Sequence, residues 1–328
     1  MSLRILKIFL IIIFLFLGAF GLASAQVKDS DISMTISPEM PGPMQDVTIS
    51  VSIFSADLNK AQISWTLDSK PVLIGIGKKT FSFRVGDSGE VSTIDVFINI
   101  AGAPSISKRL IVQPGEVDML WQATDSFVPP FYAGKALPAP EGEIRVVAMP
   151  NVKTPSGIKL KSSDFSYSWK RNFDYDQDSS GYGKNFFTFK NSYLDGVEDV
   201  SVTISSVLGN YNAGGAVSIT PSLPKIVFYE KDLSASYSQA ITDGFVMQKN
   251  SMKISAIPYF FSSDPIGSDL KYQWSINNSG VSTPSTPNNL TITLGKGSGN
   301  QASIALSIDS LSRLFQTASF SALLNIEQ

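Results

Sequence analysis

The chain has neither cysteine nor histidine in its 328 residues. Without cysteine there is no disulfide, no thiol nucleophile, no thiolate metal site and no cysteine for a lipid anchor. Without histidine the Ser-His-Asp and Cys-His arrangements are excluded, as are the imidazole ligands of zinc, copper and iron. Carboxylate chemistry and oxygen-ligated metals such as calcium stay open. The acids, however, are scattered over segments that read as surface loops, and no pair is set apart for catalysis, so a protein that is not an enzyme is expected. Positive charge is not in excess either. Lys and Arg number 26 against 28 Asp and Glu, a net charge of −2. No basic stripe is present, which argues against a nucleic-acid partner, because affinity for phosphate backbones rests on clustered Lys and Arg. No amphipathic helix of useful length can be read.

Long apolar runs are absent as well, apart from one at the start. Arg4 and Lys7 precede an apolar stretch over residues 8–22, and Ala23-Ser24-Ala25 is a small-x-small pattern. This is the layout of a secretory signal peptide over residues 1–25, with cleavage between Ala25 and Gln26. The apolar stretch is shorter than the roughly 20 residues a spanning helix needs. Retention of the segment as an anchor is the alternative, and the single route by which the chain would meet a membrane. Either way the protein is expected to be exported: periplasmic, at the cell surface or extracellular. Exported sandwich domains of eukaryotes commonly carry disulfides, so an export signal without cysteine suits a bacterial protein.

What is present is a hydrophobic content of 43%, enough for real cores, and a repeat. Tryptophan returns in three similar settings, Ser64-Trp65-Thr66, Ser168-Trp169-Lys170 and Gln273-Trp274-Ser275, at intervals of 104 and 105 residues. Each lies where apolar and polar residues alternate, the period of a half-buried strand. An alternating strand follows each Trp at a distance: Phe81 and Phe83, Phe187 and Phe189, Leu290 and Ile292. A second comes after it: Ile94, Val96 and Ile98; Val200, Val202 and Ile204; Ile304, Leu306 and Ile308. A period near 100 residues is a whole domain. The reading is all-β: three tandem immunoglobulin-like antiparallel β-sandwiches over residues 26–113, 114–222 and 223–328. Proline-bearing junctions between them read as semi-rigid joints, making a rod of modules. Trp65, Trp169 and Trp274 are expected in the three cores.

These segments resemble bacterial immunoglobulin-like domains of the polycystic-kidney-disease-repeat (PKD) type. The first copy resembles them most, through its Trp strand, Thr80-Phe81-Ser82-Phe83 and Val91-Ser92-Thr93-Ile94-Asp95-Val96. The resemblance implies an extracellular β-sandwich used as spacer, adhesin or binding module in the cell envelope. It brings no catalytic residues, and the partner it implies is an envelope or extracellular protein or a glycan.

Two stretches are candidate sites. Asp174, Asp176 and Asp178 are acids at alternate positions, the spacing of the first half of a calcium loop. The sixth position of that pattern is Ser179 rather than Gly and the twelfth is Asn185 rather than Glu, and a solvated acidic loop is the alternative. No other cofactor is indicated. Phe127, Phe131 and Tyr132 flank Pro129-Pro130 in the second copy. Such an aromatic loop either stacks on a sugar or a partner, or packs against the neighbouring module.

Overall fold

The computed structural model describes residues 31–130, 132–192, 196–207, 211–231, 237–263, 268–295 and 299–326. The segment read as an export signal, with the expected cleavage between Ala25 and Gln26, lies outside the described residues. Among those described, no helix is long and apolar enough to cross a membrane. The chain is all-β and forms three immunoglobulin-like sandwiches around three separate cores. It divides into two compact units, Met1–Pro114 and Gly115–Gln328, the second of which holds two sandwiches.

In the first sandwich the strands are β1 (Ile32–Ser37), β2 (Asp46–Ile53), β3 (Gln62–Leu67), β4 (Lys70–Ile76), β5 (Thr80–Arg84), β6 (Ser92–Asn99) and β7 (Ile106–Val112). They form sheets of order β1-β2-β5 and β4-β3-β6-β7. Strand β2 shows why: Val47, Ile49, Val51 and Ile53 are buried while the intervening residues face outward. A strand with period-two alternation can satisfy only a half-buried sheet.

The second sandwich repeats this order. Its strands are β8 (Glu116–Ala123), β9 (Glu143–Asn151), β10 (Phe165–Arg171), β11 (Asp174–Tyr182), β12 (Phe186–Lys190), β13 (Glu198–Ser206) and β14 (Asn212–Ile219). The sheets are β12-β9-β8 and β11-β10-β13-β14. Here β14 crosses close to β8. A Cβ at Gly215 would stand 2.6 Å from the Val117 carbonyl oxygen, so only glycine fits.

In the third sandwich the strands are β15 (Lys225–Lys231), β16 (Tyr237–Ile241), β17 (Gly244–Met247), β18 (Ser251–Tyr259), β19 (Leu270–Ile276), β20 (Ser279–Gly280), β21 (Asn289–Thr293), β22 (Gln301–Ser310) and β23 (Thr317–Ile326). The sheets are β16-β15-β18-β21 and β17-β23-β22-β19-β20. One pair departs from the expected antiparallel pattern. After the β15–β16 hairpin the chain crosses to the other sheet, and β17 runs parallel to β23.

Three local devices recur in every sandwich. Each Trp indole N–H donates to a backbone carbonyl two residues before the next core strand: Trp65 to Lys78 O (2.8 Å), Trp169 to Lys184 O (2.9 Å) and Trp274 to Pro287 O (2.8 Å). The carbonyl of the following residue accepts from the opposite sheet: Lys79 from Val51 N–H, Asn185 from Ala148 N–H and Asn288 from Ala256 N–H, at 2.7–3.0 Å. Two consecutive peptide groups thus tie both sheets together. The third device is the turn after the Trp strand. Asp68-Ser69, Asn172-Phe173 and Asn277-Asn278 all have positive φ, the backbone of a two-residue type I′ hairpin, made here without glycine. Asp and Asn tolerate the left-handed region because their side chains bond locally. Their oxygens accept from Thr93 N–H (2.8 Å), Asp199 N–H (2.9 Å) and Ser303 N–H (2.9 Å) on the adjacent strand.

The third device corrects the reading of the acidic stretch. Asp174, Asp176 and Asp178 lie on strand β11 rather than in a loop. The Asn172-Phe173 turn returns the chain antiparallel to β10, pairing Arg171 with Asp174, Lys170 with Tyr175 and Trp169 with Asp176. Beyond Asp176 the strand bulges, and Asp176 Oδ1 accepts from Ser179 N–H at 2.7 Å within that bulge. Among the described residues no group of three Asp or Glu gathers closely enough to hold one metal ion.

The second sandwich also buries a charge. Glu198 is 0% exposed and receives Arg171 Nη2 (2.7 Å) and Nε (2.8 Å), Asn172 Nδ2 (3.0 Å) and Ser192 N–H (2.8 Å). Register places Arg171 opposite Val200, where the first sandwich has Leu67 opposite Ile94 and the third Ile276 opposite Ile304. The second copy thus has an ion pair where its siblings carry no charge, Leu67 with Ser92 and Ile276 with Ala302.

Candidate functional site

Within the unit Gly115–Gln328, the crossover from β8 to β9 over residues 124–142 reaches the third sandwich. Phe127 clamps it by backbone alone: its N–H donates to Phe261 O and its carbonyl accepts from Phe260 N–H, both at 2.8 Å. Nearby, the turn between β22 and β23 inserts two side chains. Arg313 Nη1 donates to Glu141 O (2.6 Å), and its Nη2 lies 3.4 Å from Asp125 Oδ2. Gln316 is 1% exposed and fully satisfied: its Nε2 donates to Pro140 O (2.7 Å) and Ser262 Oγ (2.9 Å), and its Oε1 accepts from Ser262 N–H (2.8 Å). A buried amide with every partner in place fixes one geometry, because any slip leaves polar groups unpaired in a low dielectric. Asp269 holds the turn itself. Its carboxylate accepts from the Ser263, Ser310 and Ser312 hydroxyls, and its carbonyl from Leu311 N–H at 2.8 Å. The Ser263 hydroxyl, more than any other group, holds the Asp269 carboxyl below the usual carboxylate range.

Beside this clamp lies a groove of about 270 Å³, lined by Pro129, Pro130, Tyr132, Ala133, Tyr229, Ile257 and Tyr259. Tyr132 meets Tyr259 edge-on at 5.6 Å between centroids and Phe260 at 6.2 Å. The hydroxyls of Tyr229 and Tyr259 are 2.9 Å apart. Among the described residues the lining carries no charged side chain: it is three tyrosines, two prolines, Ala133 and Ile257. Farther along the same loop the Lys135 ammonium sits 3.1 Å from the centre of the Trp121 ring, a cation–π contact, and burial lowers the lysine's pKa.

The three aromatic residues singled out in the sequence therefore have different places. Tyr132 lines the groove, Phe127 is half-buried in the clamp, and Phe131 lies outside the described residues. Trp65, Trp169 and Trp274 are in the cores, at 0%, 0% and 2% exposure. Sequence reasoning missed Tyr229, Tyr259, Arg313 and Gln316. One signal was available. Ile254-Ser255-Ala256-Ile257-Pro258 is buried throughout, where β2 of the first copy alternates. A strand buried on both faces must be covered by something outside its own sandwich, and here Pro129, Pro130, Tyr132 and Ala133 line the groove with Ile257.

The fold and this joint define the class: a tandem array of immunoglobulin-like β-sandwiches. No protein-family model and no curated protein matches the chain. Among solved structures it is similar to the three N-terminal domains of the highly immunogenic outer capsid protein of bacteriophage RB49, at 11% identity and a TM-score of 0.27, covering 90% of this chain and 98% of that one. It is also similar to the central fibronectin-III array of RIM-binding protein, at 12% identity and a TM-score of 0.29, covering 92% and 99%. A third is SGBP-B of the Bacteroides ovatus mixed-linkage glucan utilization locus, solved in complex with a mixed-linkage heptasaccharide, at 10% identity and a TM-score of 0.23, covering 93% and 69%.

Proposed function

We propose that the chain is a non-enzymatic exported protein of a bacterial cell envelope, whose PKD-type immunoglobulin-like modules act as a spacer, adhesion or protein-interaction scaffold. The observation that supports this reading is the joint of the second and third sandwiches. A scaffold must hold its contact surfaces at fixed separation, and Gln316, Arg313 and the Phe127 backbone bonds supply that rigidity. Fractionation of native cells, with mass determination of the purified protein, tests it. The expected result is a chain beginning at Gln26 outside the cytoplasm. A full-length chain in the cytosolic fraction would sink the proposal.

A second reading is favoured by the tyrosine groove: binding of a neutral glycan. Sugar rings present apolar C–H faces and rims of hydroxyls, and tyrosine offers an apolar face with a polar tip. An uncharged lining selects against phosphate or carboxylate ligands. In this reading a panel of soluble neutral oligosaccharides quenches intrinsic fluorescence saturably. Tyr259→Ala weakens that binding about tenfold or more, the loss of one stacking contact of about 1–3 kcal/mol. Equal binding by wild type and Tyr259→Ala, or no binding by any glycan, would remove it.

A further inference from the structure

Among the described residues, the strand that completes each Trp hairpin stands at the edge of its sheet, and the three copies treat that edge differently. In the second sandwich β11 carries Asp174, Asp176 and Asp178 and is broken by a bulge. In the third, β20 is cut to Ser279–Gly280. Charge, bulging and shortness are the devices by which proteins keep sheet edges from pairing with other chains. In the first sandwich β4 runs seven residues and carries no acid. Lys70 and Pro71 restrict its first end, and Val72 is the unpaired residue of a bulge opposite β3. From Leu73 to Ile76 the pairing is regular, and the outward-facing Ile74 and Ile76 are 58% and 71% exposed. The apolar surface continues inward: Ile74 and Phe97 both pair with Ser64, and Phe97 is also exposed.

Charge decides what can pair there. Lys70 and Lys78 flank the apolar stretch, and the Lys78 stem lies against Gly75. Lys70 is the first residue of β4 and Lys78 lies two residues beyond its last. A second copy pairing antiparallel about Ile74 would set Lys70 against Lys78 of its twin at both ends, a like-charge opposition that destabilises strand pairs. We infer that β4 is a docking edge for an extended segment of a partner protein, one with apolar residues at alternate positions and acids at its ends, added as a further antiparallel strand. Main-chain hydrogen bonds supply the affinity, and Ile74 and Ile76 on one face, with lysines at the ends, set register and polarity.

The probe is a fluorescein-labelled peptide, Asp-Asp-Val-Thr-Val-Thr-Val-Asp-Asp, with a Lys-flanked version as control, titrated into the full mature chain by anisotropy. The expected result is saturable binding of the acidic peptide, weakened by salt, and binding of the Lys-flanked peptide at least about tenfold weaker. Ile74→Ser and, independently, Ile76→Ser, which remove the apolar contact without adding charge, reduce binding of the acidic peptide by a similar factor. Both positions are exposed, so the melting temperature serves to show that the variants remain folded. Ile111→Ser, at an exposed apolar position on β7 at the opposite edge of the same sheet, leaves binding unchanged. Absence of saturable binding, equal binding of both peptides, or equal loss in Ile111→Ser overturns the inference. So does a concentration-dependent dimer that Ile74→Ser abolishes, which assigns the edge to a second copy.

Discussion

Replacing Trp169 by alanine lowers the stability of the unit Gly115–Gln328 by about 3–5 kcal/mol, the range for large aromatic truncations in close-packed cores. Three observations set it at that level. The side chain has no solvent exposure, its ring lies 5.8 Å from that of Phe187, and its indole N–H is the donor for Lys184 O. Trp169→Phe separates the contributions. It keeps most of the apolar volume but leaves that carbonyl without its donor, at a cost of about 1–3 kcal/mol. Trp121 is the internal control. It is half-buried, packed against the edge of the same core and covered by Lys135, so Trp121→Ala should cost clearly less than Trp169→Ala, about 1–2 kcal/mol. Denaturant unfolding monitored by circular dichroism measures all three. A loss below about 1 kcal/mol in Trp169→Ala would mean that the hairpin and sheet contacts, rather than the indole, hold the second sandwich together.

Glu198→Ala is expected to cost a similar amount, about 3–5 kcal/mol, for a different reason. The substitution removes the acceptor of the Arg171 guanidinium, whose side chain is only 28% exposed, and of the Asn172 amide and the Ser192 N–H. A buried ion pair is weak evidence for net stabilisation, since desolvation offsets much of the attraction. The sibling sandwiches show what an uncharged version looks like. Arg171→Leu with Glu198→Ser copies the residues of the first sandwich at these register positions, Leu67 and Ser92. The double variant should therefore recover at least half of the loss seen in Glu198→Ala. A double variant no more stable than the single one would show that Asn172 and Ser192, which also bond Glu198, cannot do without the carboxylate.

The same carboxylate gives a pH test. Burial pushes the Glu198 pKa up, but the Arg171 hydrogen bonds, the Ser192 N–H, the Arg171 charge and the Asn172 amide outweigh it, leaving the group below its ordinary value of 4.5. A depressed carboxylate pKa contributes stability that is complete above the unfolded value and lost as pH falls through the folded one. The stability gap between wild type and Glu198→Ala should thus be constant above about pH 5 and narrow only in acid. A gap that widens as pH falls would reverse the sign and sink the assignment.

The alternating residues of β2, β3 and β6 and the three tryptophans were legible because a half-buried strand leaves a period-two trace in the residues themselves. The acidic stretch was misread because Asp174, Asp176 and Asp178 carry no apolar period. What makes them a strand is the type I′ turn at Asn172-Phe173, and positive φ leaves no sure mark when glycine is absent. The parallel β17–β23 pair was illegible for a related reason: strand direction depends on where the chain crosses between sheets.

By itself the sequence determined that the chain is all-β, built from three repeated sandwiches, and without thiol or imidazole chemistry. Those properties reside in composition and in contacts whose pattern repeats along the chain. Tertiary structure alone decided that Gln316 seals a joint against Pro140, and that Tyr132 meets Tyr259 in a groove that Tyr229 also lines. It alone put the apolar strand β4 at the edge of its sheet. These are pairings between residues far apart in the chain. Only the packing of one sandwich on another, or the absence of a strand beside an edge, converts an ordinary surface residue into part of a site.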